Sequence, residues 1–526
     1  MFVLGLLVVT LASAGCRGRS ASLPLDLFAT AIGADPETFD PGVMSGSVEG
    51  RIAWQLFEGL YSAPREDGGP LIPGVAERHE VSEDGLTYRF FLRSDARWSN
   101  GDPVTAHDFV FSWRRVLSDD IASYYVSFLR YLKNGRAYEE GQAGADAVGV
   151  RALSDHILEV ELEHPVPYFV EVTTFFTFLP VHRGSIERHG HVDAFRAENL
   201  VTNGPFRMSR YARRNVIELV RNEHYWAAEE VHFSRVRFLI IEDDAAKVSA
   251  FEDGRVDWID ELPANQVPLL RMRPDFHSVN LLGTYYYRFN VTRPPLDDVR
   301  VRRALSLAIN REELCRCTLD DLYVPATSFV PPMPGFTSPE GLVRYDPEEA
   351  RRLLAEAGYP GGQGLPRLTL LYNTSENHRI IAQAIQDIWS TELGVRIDLL
   401  NQEWKVYLDS TRELDFDIGR AGWIGDYLDP NTFLELWKTG DANNNTGWGD
   451  ARFDALIEGS FSILDPAARK EALAEAEAIL LQAHPVMPLY YYSQKHLVRA
   501  NVRGWTANTL GVYLIRFWSK QEEGGR

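Results

Sequence analysis

The sequence predicts an α/β protein of several domains, and three observations carry that expectation. At 526 residues the chain is too long for one hydrophobic core, and size alone points to about two to four domains. From residue 298 onward, strand-like and helix-like segments alternate as they do in a mostly parallel sheet with covering helices. Before that point, short runs of period-two alternation are separated by turn signals and read as strand pairs.

Taken in order, LDLFATAIGADPETFDP reads as a strand followed by a turn at Asp40-Pro41. In EGRIAWQLFEGLYS, Ile52, Leu56, Phe57 and Leu60 fall on one helical face, which predicts a helix over 49–62. TYRFFLR alternates well, and WSNGDPV, with its Asn100-Gly101 turn signal, is the expected other half of a strand pair. Thr105 is a good N-cap for AHDFVFSWRRVL, which has acids early and arginines late. VGVRALSDHILEVELEHP is a second strand–turn–strand, and strands flank a helix between Arg235 and Asp260. Then come the helix of DVRVRRALSLAIN, a helix over 347–357, the strand LTLLYN, a helix over 378–392, the strand VRIDLLNQ and a helix from Glu403.

Composition narrows the function. Acids outnumber bases 74 to 54, a net charge of −20, which argues against nucleic acid as a partner because phosphate binding needs a basic surface. Met1 to Ala14 is an apolar run of signal-peptide length, too short to span a bilayer. Small residues then precede Cys16, as in a bacterial lipobox, so Cys16 is the expected lipidation site. Cys315 and Cys317 are two residues apart, a strained separation for a bridge, and read as packing residues on a helix. Sequence patterns of metalloproteases, serine hydrolases, nucleotide loops and dinucleotide folds are missing, and the irregularly spaced His182, His189 and His191 read as surface residues. No catalytic residue, metal site or cofactor is expected. The aromatic clusters SYYVSFLRY, GTYYYRFN and LYYYS are read as buried strand or interface patches, with a ligand-cleft lining as the alternative.

Several longer blocks are more specific. They include DGLTYRFFLRSDARWSNGDPVTAHDFVFSW, HPVPYF, VTNGPFRM, LLYNTSENH, NQEWK, RAGWIGDYLDP and MPLYYYS. Through them the chain, from about Leu25 to Lys520, resembles the periplasmic oligopeptide-binding proteins of ATP-driven peptide importers (the OppA type, family 5 extracellular solute-binding proteins). The resemblance implies a type II periplasmic-binding-protein-like fold, with mixed sheets and flanking helices forming three lobes around a ligand cleft. The expected division is a signal peptide over 1–15 and a lipid-anchored segment over 16–26. Lobe I is then built from 27–57, 182–282 and 494–526, lobe II from 58–181, and lobe III from 283–493.

Within RAGWIGDYLDP, an extended Arg420–Asp426 would put Arg420, Gly422, Ile424 and Asp426 on one face, with the charged ends roughly 20 Å apart. That span suits an extended peptide of about three to five residues, its ammonium at Asp426 and its carboxylate at Arg420. Main chain over Gly422, Trp423 and Ile424 would zip to it, with Gly422 and Gly425 permitting close approach. The resemblance assigns Asp426 to the amino group and Arg420 and His378 to the carboxylate. It assigns Asn373 and Trp404 to side-chain pockets, and Tyr125, Ser45, Gly46 and Ser47 to main-chain contacts from the smaller lobes. Tyr287 and Tyr492 are the expected aromatic lining. Arg288 stands where well-known relatives have an acid, which implies an altered side-chain preference.

The implied function is capture of short peptides and delivery to an importer made of membrane-spanning permease and ATPase subunits. The protein is expected to be no enzyme, to be monomeric, to sit in the periplasm or cell envelope and to touch the membrane only through its lipid. The alternatives are another cargo (dipeptide, nickel, haem or oligosaccharide) or a peptide-sensing role.

Overall fold

The computed structural model describes residues 23–506 and 508–522, so the apolar leader and Cys16 lie outside the described residues. An eleven-stranded mixed sheet dominates the protein. Across it run, in order, Ile397–Gln402, Leu368–Asn373, Ile418–Ile424, Phe276–Phe289, Val486–Val498, Trp258–Ile259, Leu27–Ile32, Arg235–Ile240, Val216–Arg221 and Phe206–Ala212; Val324–Pro325 pairs with Val486–Val498 off this path.

Leu368–Asn373 is parallel to both Ile397–Gln402 and Ile418–Ile424, and helices Glu376–Leu393 and Trp404–Arg412 make the crossovers. That is the parallel unit expected from the alternating second half. Ile418–Ile424, however, is antiparallel to Phe276–Phe289, which is antiparallel to Val486–Val498. Strand direction follows the crossover rule only where a helix joins the two strands, and these neighbours arrive from distant parts of the chain. The sheet is therefore mixed rather than mostly parallel. Leu368, Leu370 and Leu371 are all fully buried, in keeping with a strand covered on both faces.

A second, four-stranded antiparallel sheet orders Ala76–Val81, Thr87–Leu92, Ile157–Glu161 and Val150–Ser154. Here a sequence expectation fails. Thr87–Leu92 pairs with the strands on either side in this sheet, whereas the Asn100-Gly101 turn closes only an isolated bridge between Arg97 and Pro103. Thr105 does cap the helix Ala106–Val116, with Asp108 completing the reciprocal capping bonds. The predicted helix over 49–62 is shorter than expected, Ser47–Leu56. Its end is tertiary: Phe57 turns extended, and the Leu56 carbonyl accepts the Gly204 N–H at 2.9 Å instead of a helical partner. Cys315 packs as expected, but Cys317, on the same π-helical turn Leu314–Thr318, is exposed.

Two long strands, Phe276–Phe289 and Val486–Val498, carry the sheet from one half to the other. Their pairing is interrupted by register shifts between Asn280 and Thr284 and again between Tyr285 and Tyr286. No helix among the described residues is long and apolar enough to cross a membrane.

Candidate binding cleft

Ile418–Ile424 holds the centre of the site because its two edges differ. Toward Phe276–Phe289 it is paired along its whole length, Ile418 against Phe289 through Ile424 against Gly283. Toward Leu368–Asn373 the pairing ends at Gly419. Asn290 N–H donates to the Asp417 carbonyl and Gly425 N–H to the Leu282 carbonyl, at 2.9 and 2.7 Å. Bonded pairs alternate along an antiparallel ladder, so Ala421 and Trp423 turn their main-chain groups inward to that neighbour. Gly422 and Ile424 turn theirs to the other edge, where no described strand pairs with them. Gly422 is exposed and Ile424 is 53% exposed. This is an unfilled strand position two hydrogen-bonding residues long.

At one end stands Arg420. Its guanidinium lies 4.8 Å above the Tyr285 ring and donates to Asn373 Oδ1 at 3.3 Å and Tyr492 Oη at 3.1 Å, while its Nε is buried without a partner. Burial opposes its charge, but the surrounding hydroxyls of Tyr492, Tyr285 and Tyr407 hold its pKa above the ordinary arginine value. No carboxylate pairs with it among the described residues. His378 Nδ1 sits 3.2 Å from the Tyr285 hydroxyl; burial, helped by the Arg420 charge, pushes its pKa down to about 3. In the ligand-free protein His378 is thus a neutral imidazole at neutral pH.

At the other end is Asp426. It follows the strand in a bend rather than extending it, with its N–H donating to Thr432 Oγ1 at 3.3 Å, so the expected shared strand face stops at Ile424. No cation among the described residues offsets its desolvation, which pushes its pKa up to about 7. Tyr125 closes this end from the part of the chain that holds the smaller sheet. Its ring packs on Phe128, Phe175 and Phe176, and its hydroxyl is pushed up to about 12 by burial and by the charge of Asp426. Ser45, Gly46 and Ser47 form the entry to the helix Ser47–Leu56, which reaches the same aromatic group through Gly50 against Phe176. They make no hydrogen bond to Ile418–Ile424 among the described residues.

Other expected site residues are redistributed. Tyr287 is fully buried, because Phe276–Phe289 runs through the middle of the sheet, so it supports the cleft rather than lining it. Arg288 is also buried, and Trp423 packs on the opposite sheet face with Phe433 and Trp437. Tyr492 does reach Gly422: a Cβ there would lie 2.4 Å from its hydroxyl, so glycine at 422 makes room for Tyr492. Gly425 is different. A Cβ there would press on Leu282 and Phe433, so this glycine serves internal packing. Trp404 is half exposed and stacks on Tyr407, their centroids 5.6 Å apart. Sequence reasoning missed Tyr407, whose hydroxyl donates to the Arg420 carbonyl, and Tyr285, which cradles Arg420 and contacts His378. It also missed Glu435, a partly buried acid that accepts from Tyr427 and Asn431 beside Asp426 and is pushed up to about 7 by desolvation.

An open strand edge between a cation and an anion that have no counter-charge among the described residues suits a solute charged at both ends. Residues 70–445 match the family described as bacterial extracellular solute-binding proteins, family 5 middle. The chain belongs to that family. This family 5 protein is 36% identical over 485 residues to the oligopeptide-binding protein OppA of Bacillus subtilis (strain 168), covering 90% of this chain and 89% of that one. Its fold superimposes on the unliganded open form of MppA, a periplasmic murein tripeptide-binding protein, with a TM-score of 0.84 at 33% identity, covering 95% and 98% of the two chains. Haemophilus influenzae OppA in complex with RPPGFSPFR gives a TM-score of 0.75 at 32% identity, with 94% and 99% covered. The family is one of solute-binding proteins rather than enzymes. Its close relatives are periplasmic by name, which places this member in the periplasm or cell envelope.

Proposed function

We propose that this protein captures short peptides in an extended conformation and hands them to an ATP-driven importer. The observation that carries this reading is the open edge at Gly422 and Ile424, set between Arg420 and Asp426, neither of which has a counter-charge among the described residues. A peptide laid antiparallel along that edge supplies what each end lacks. Its ammonium neutralises Asp426, its carboxylate neutralises Arg420, and its amides complete the strand. Asn373, Trp404 and Tyr125 border the same edge and its two ends, where ligand side chains and main chain would lie. Because termini and main chain are common to all peptides, this grip gives affinity without reading sequence.

The lobe division is proposed as 27–57, 182–282 and 494–526 for lobe I, 58–181 for lobe II and 283–493 for lobe III. Two features support it. The four-stranded sheet lies wholly within 58–181, and the interval between Asn280 and Thr284, where the two long strands lose register, sits at the 282/283 boundary. Closure of the lobes about these strands would bury the ligand and create the surface that meets the permease. The protein is further proposed to act as a monomer, without enzymatic activity, and to be held to the membrane through acylated Cys16.

Titration calorimetry with free tri- and tetrapeptides tests the reading directly. Micromolar or tighter binding that is lost when the ligand's amine is acetylated is the expected result. Equal affinity for the acetylated and free peptides would overturn the role of Asp426.

A further inference from the structure

On the opposite face of the same strand lies a second guanidinium that the grip on the peptide termini does not use. Arg288 is directly across the ladder from Gly419, and a Cβ on that glycine would already stand 3.4 Å from Arg288 Cγ. The missing side chain lets Arg288 cross beneath Ile418–Ile424 toward the open edge. There Nη2 donates to the Tyr407 hydroxyl at 3.0 Å, and that hydroxyl in turn donates to the Arg420 carbonyl. The guanidinium lies 5.8 Å above the Phe416 ring, and Trp404, stacked on Tyr407, forms the outer wall.

Arg288 is 7% exposed, its Nε is buried without a hydrogen-bond partner, and no carboxylate pairs with it among the described residues. Other buried arginines of this protein have either an acid, as Arg469 has Asp429 and Arg115 has Asp40, or several main-chain carbonyls, as Arg302 and Arg311 have, whereas the Arg288 guanidinium has the Tyr407 hydroxyl. Two arginines therefore converge on one end of the open edge, each without an anion. The single carboxyl terminus of an ordinary peptide neutralises only one of them.

We propose that Arg288 selects peptides bearing an acidic side chain in their carboxyl-terminal half. The proposal rests on the peptide-binding reading and deepens it. The geometry separates the two cations by sheet face. Residues paired across a strand edge share a face, so a ligand residue opposite Ala421 turns its side chain to the face of Gly419, Ala421 and Arg288. Its neighbours turn theirs to the face of Arg420. A Glu or Asp side chain at that position meets Arg288, with Tyr407 between the two arginines, while the terminal carboxylate meets Arg420. Planar guanidinium donors suit both carboxylates.

The test is a positional scan with free tetraalanine peptides carrying one Glu or one Gln, measured by calorimetry on the wild type, Arg288→Gln and Arg288→Glu. For the wild type, Glu is expected to beat Gln by about tenfold or more at one position in the second half of the peptide, and to make little difference elsewhere. In Arg288→Gln, which retains a donor for Tyr407, the ratio should fall close to one. In Arg288→Glu, a Lys-containing peptide should bind better than its Gln counterpart. A purely structural role for Arg288 would lower affinity for every peptide alike and leave the ratio intact, which overturns the proposal. A wild type that binds both peptides equally also overturns it, and that measurement needs no variant to fold. A wild type that binds none of the peptides would refute the peptide reading itself.

Discussion

A carboxyl group that loses its water without gaining a cation holds its proton longer, and Asp426 does so up to about pH 7. Between its ordinary value of 3.8 and this raised value the folded, ligand-free protein binds more protons here than the unfolded chain does, so this group's contribution to stability falls as pH rises through that window and is level above it. Asp426→Asn removes the penalty. Its stabilising effect on the ligand-free protein should therefore grow between pH 4 and pH 7, by about 1–3 kcal/mol given that the side chain is only partly buried, as read from denaturant melts. The same substitution should weaken binding of a free tripeptide by about a hundredfold or more, since the ligand ammonium is then stranded. Wild-type affinity should fall below pH 7, as Asp426 takes up its proton. It should fall again above about pH 8, where a peptide amine loses one. Residues at the two ends of the site were legible in the sequence because charge stands out in a glycine-rich strand. Tyr407 was not, because it comes from the preceding crossover helix and nothing in its local pattern refers to Arg420.

An element with one satisfied edge and one bare edge has a periodic signature. Only every second ligand amide can face Gly422 and Ile424, so methylating the amides of a tetrapeptide one at a time should cost about 1 kcal/mol or more at alternate positions and little between them. Uniform losses along the ligand would mean the strand is not completed by the peptide. Within the protein, Gly422→Ala should push the Tyr492 hydroxyl off Arg420 and weaken binding, and Gly422→Ala combined with Tyr492→Phe should recover part of the loss. Elements set by local pattern were readable in advance: the strand Leu368–Asn373 and the capped helix Ala106–Val116 fall where periodicity and capping put them. Elements set by tertiary partners were not. The helix expected over 49–62 stops at Leu56 because a distant glycine takes its carbonyl, and the Asn100-Gly101 turn closes no strand pair because Thr87–Leu92 is already paired on both sides.

Over the whole molecule, buried ion pairs tie distant segments together. Arg51 pairs with Asp260, Arg115 with Asp40, Arg516 with Glu58 and Arg469 with Asp429, all largely hidden from solvent. The last lies beneath the contact between the two sheet-bearing regions. There Arg469 sits 5.1 Å above the Tyr168 ring, Tyr168 stacks on Tyr427 at 4.6 Å, and Asn431 donates to the Tyr168 hydroxyl. Arg469→Ala leaves Asp429 buried alone and should destabilise the fold by about 3–5 kcal/mol, measurable by urea denaturation. Replacing both partners with apolar residues should cost much less. Long-range closure also governs the order in which the protein can be finished. Leu27–Ile32, the first strand made, lies between strands at 235–240 and 258–259, and the latter pairs on its other edge with Leu497 and Val498. A nascent chain therefore cannot seal its central sheet until nearly all of it has left the ribosome. The four-stranded sheet at 76–161 needs nothing from the C-terminal half to pair, so the smaller sheet can close early while the large one waits for Val486–Val498.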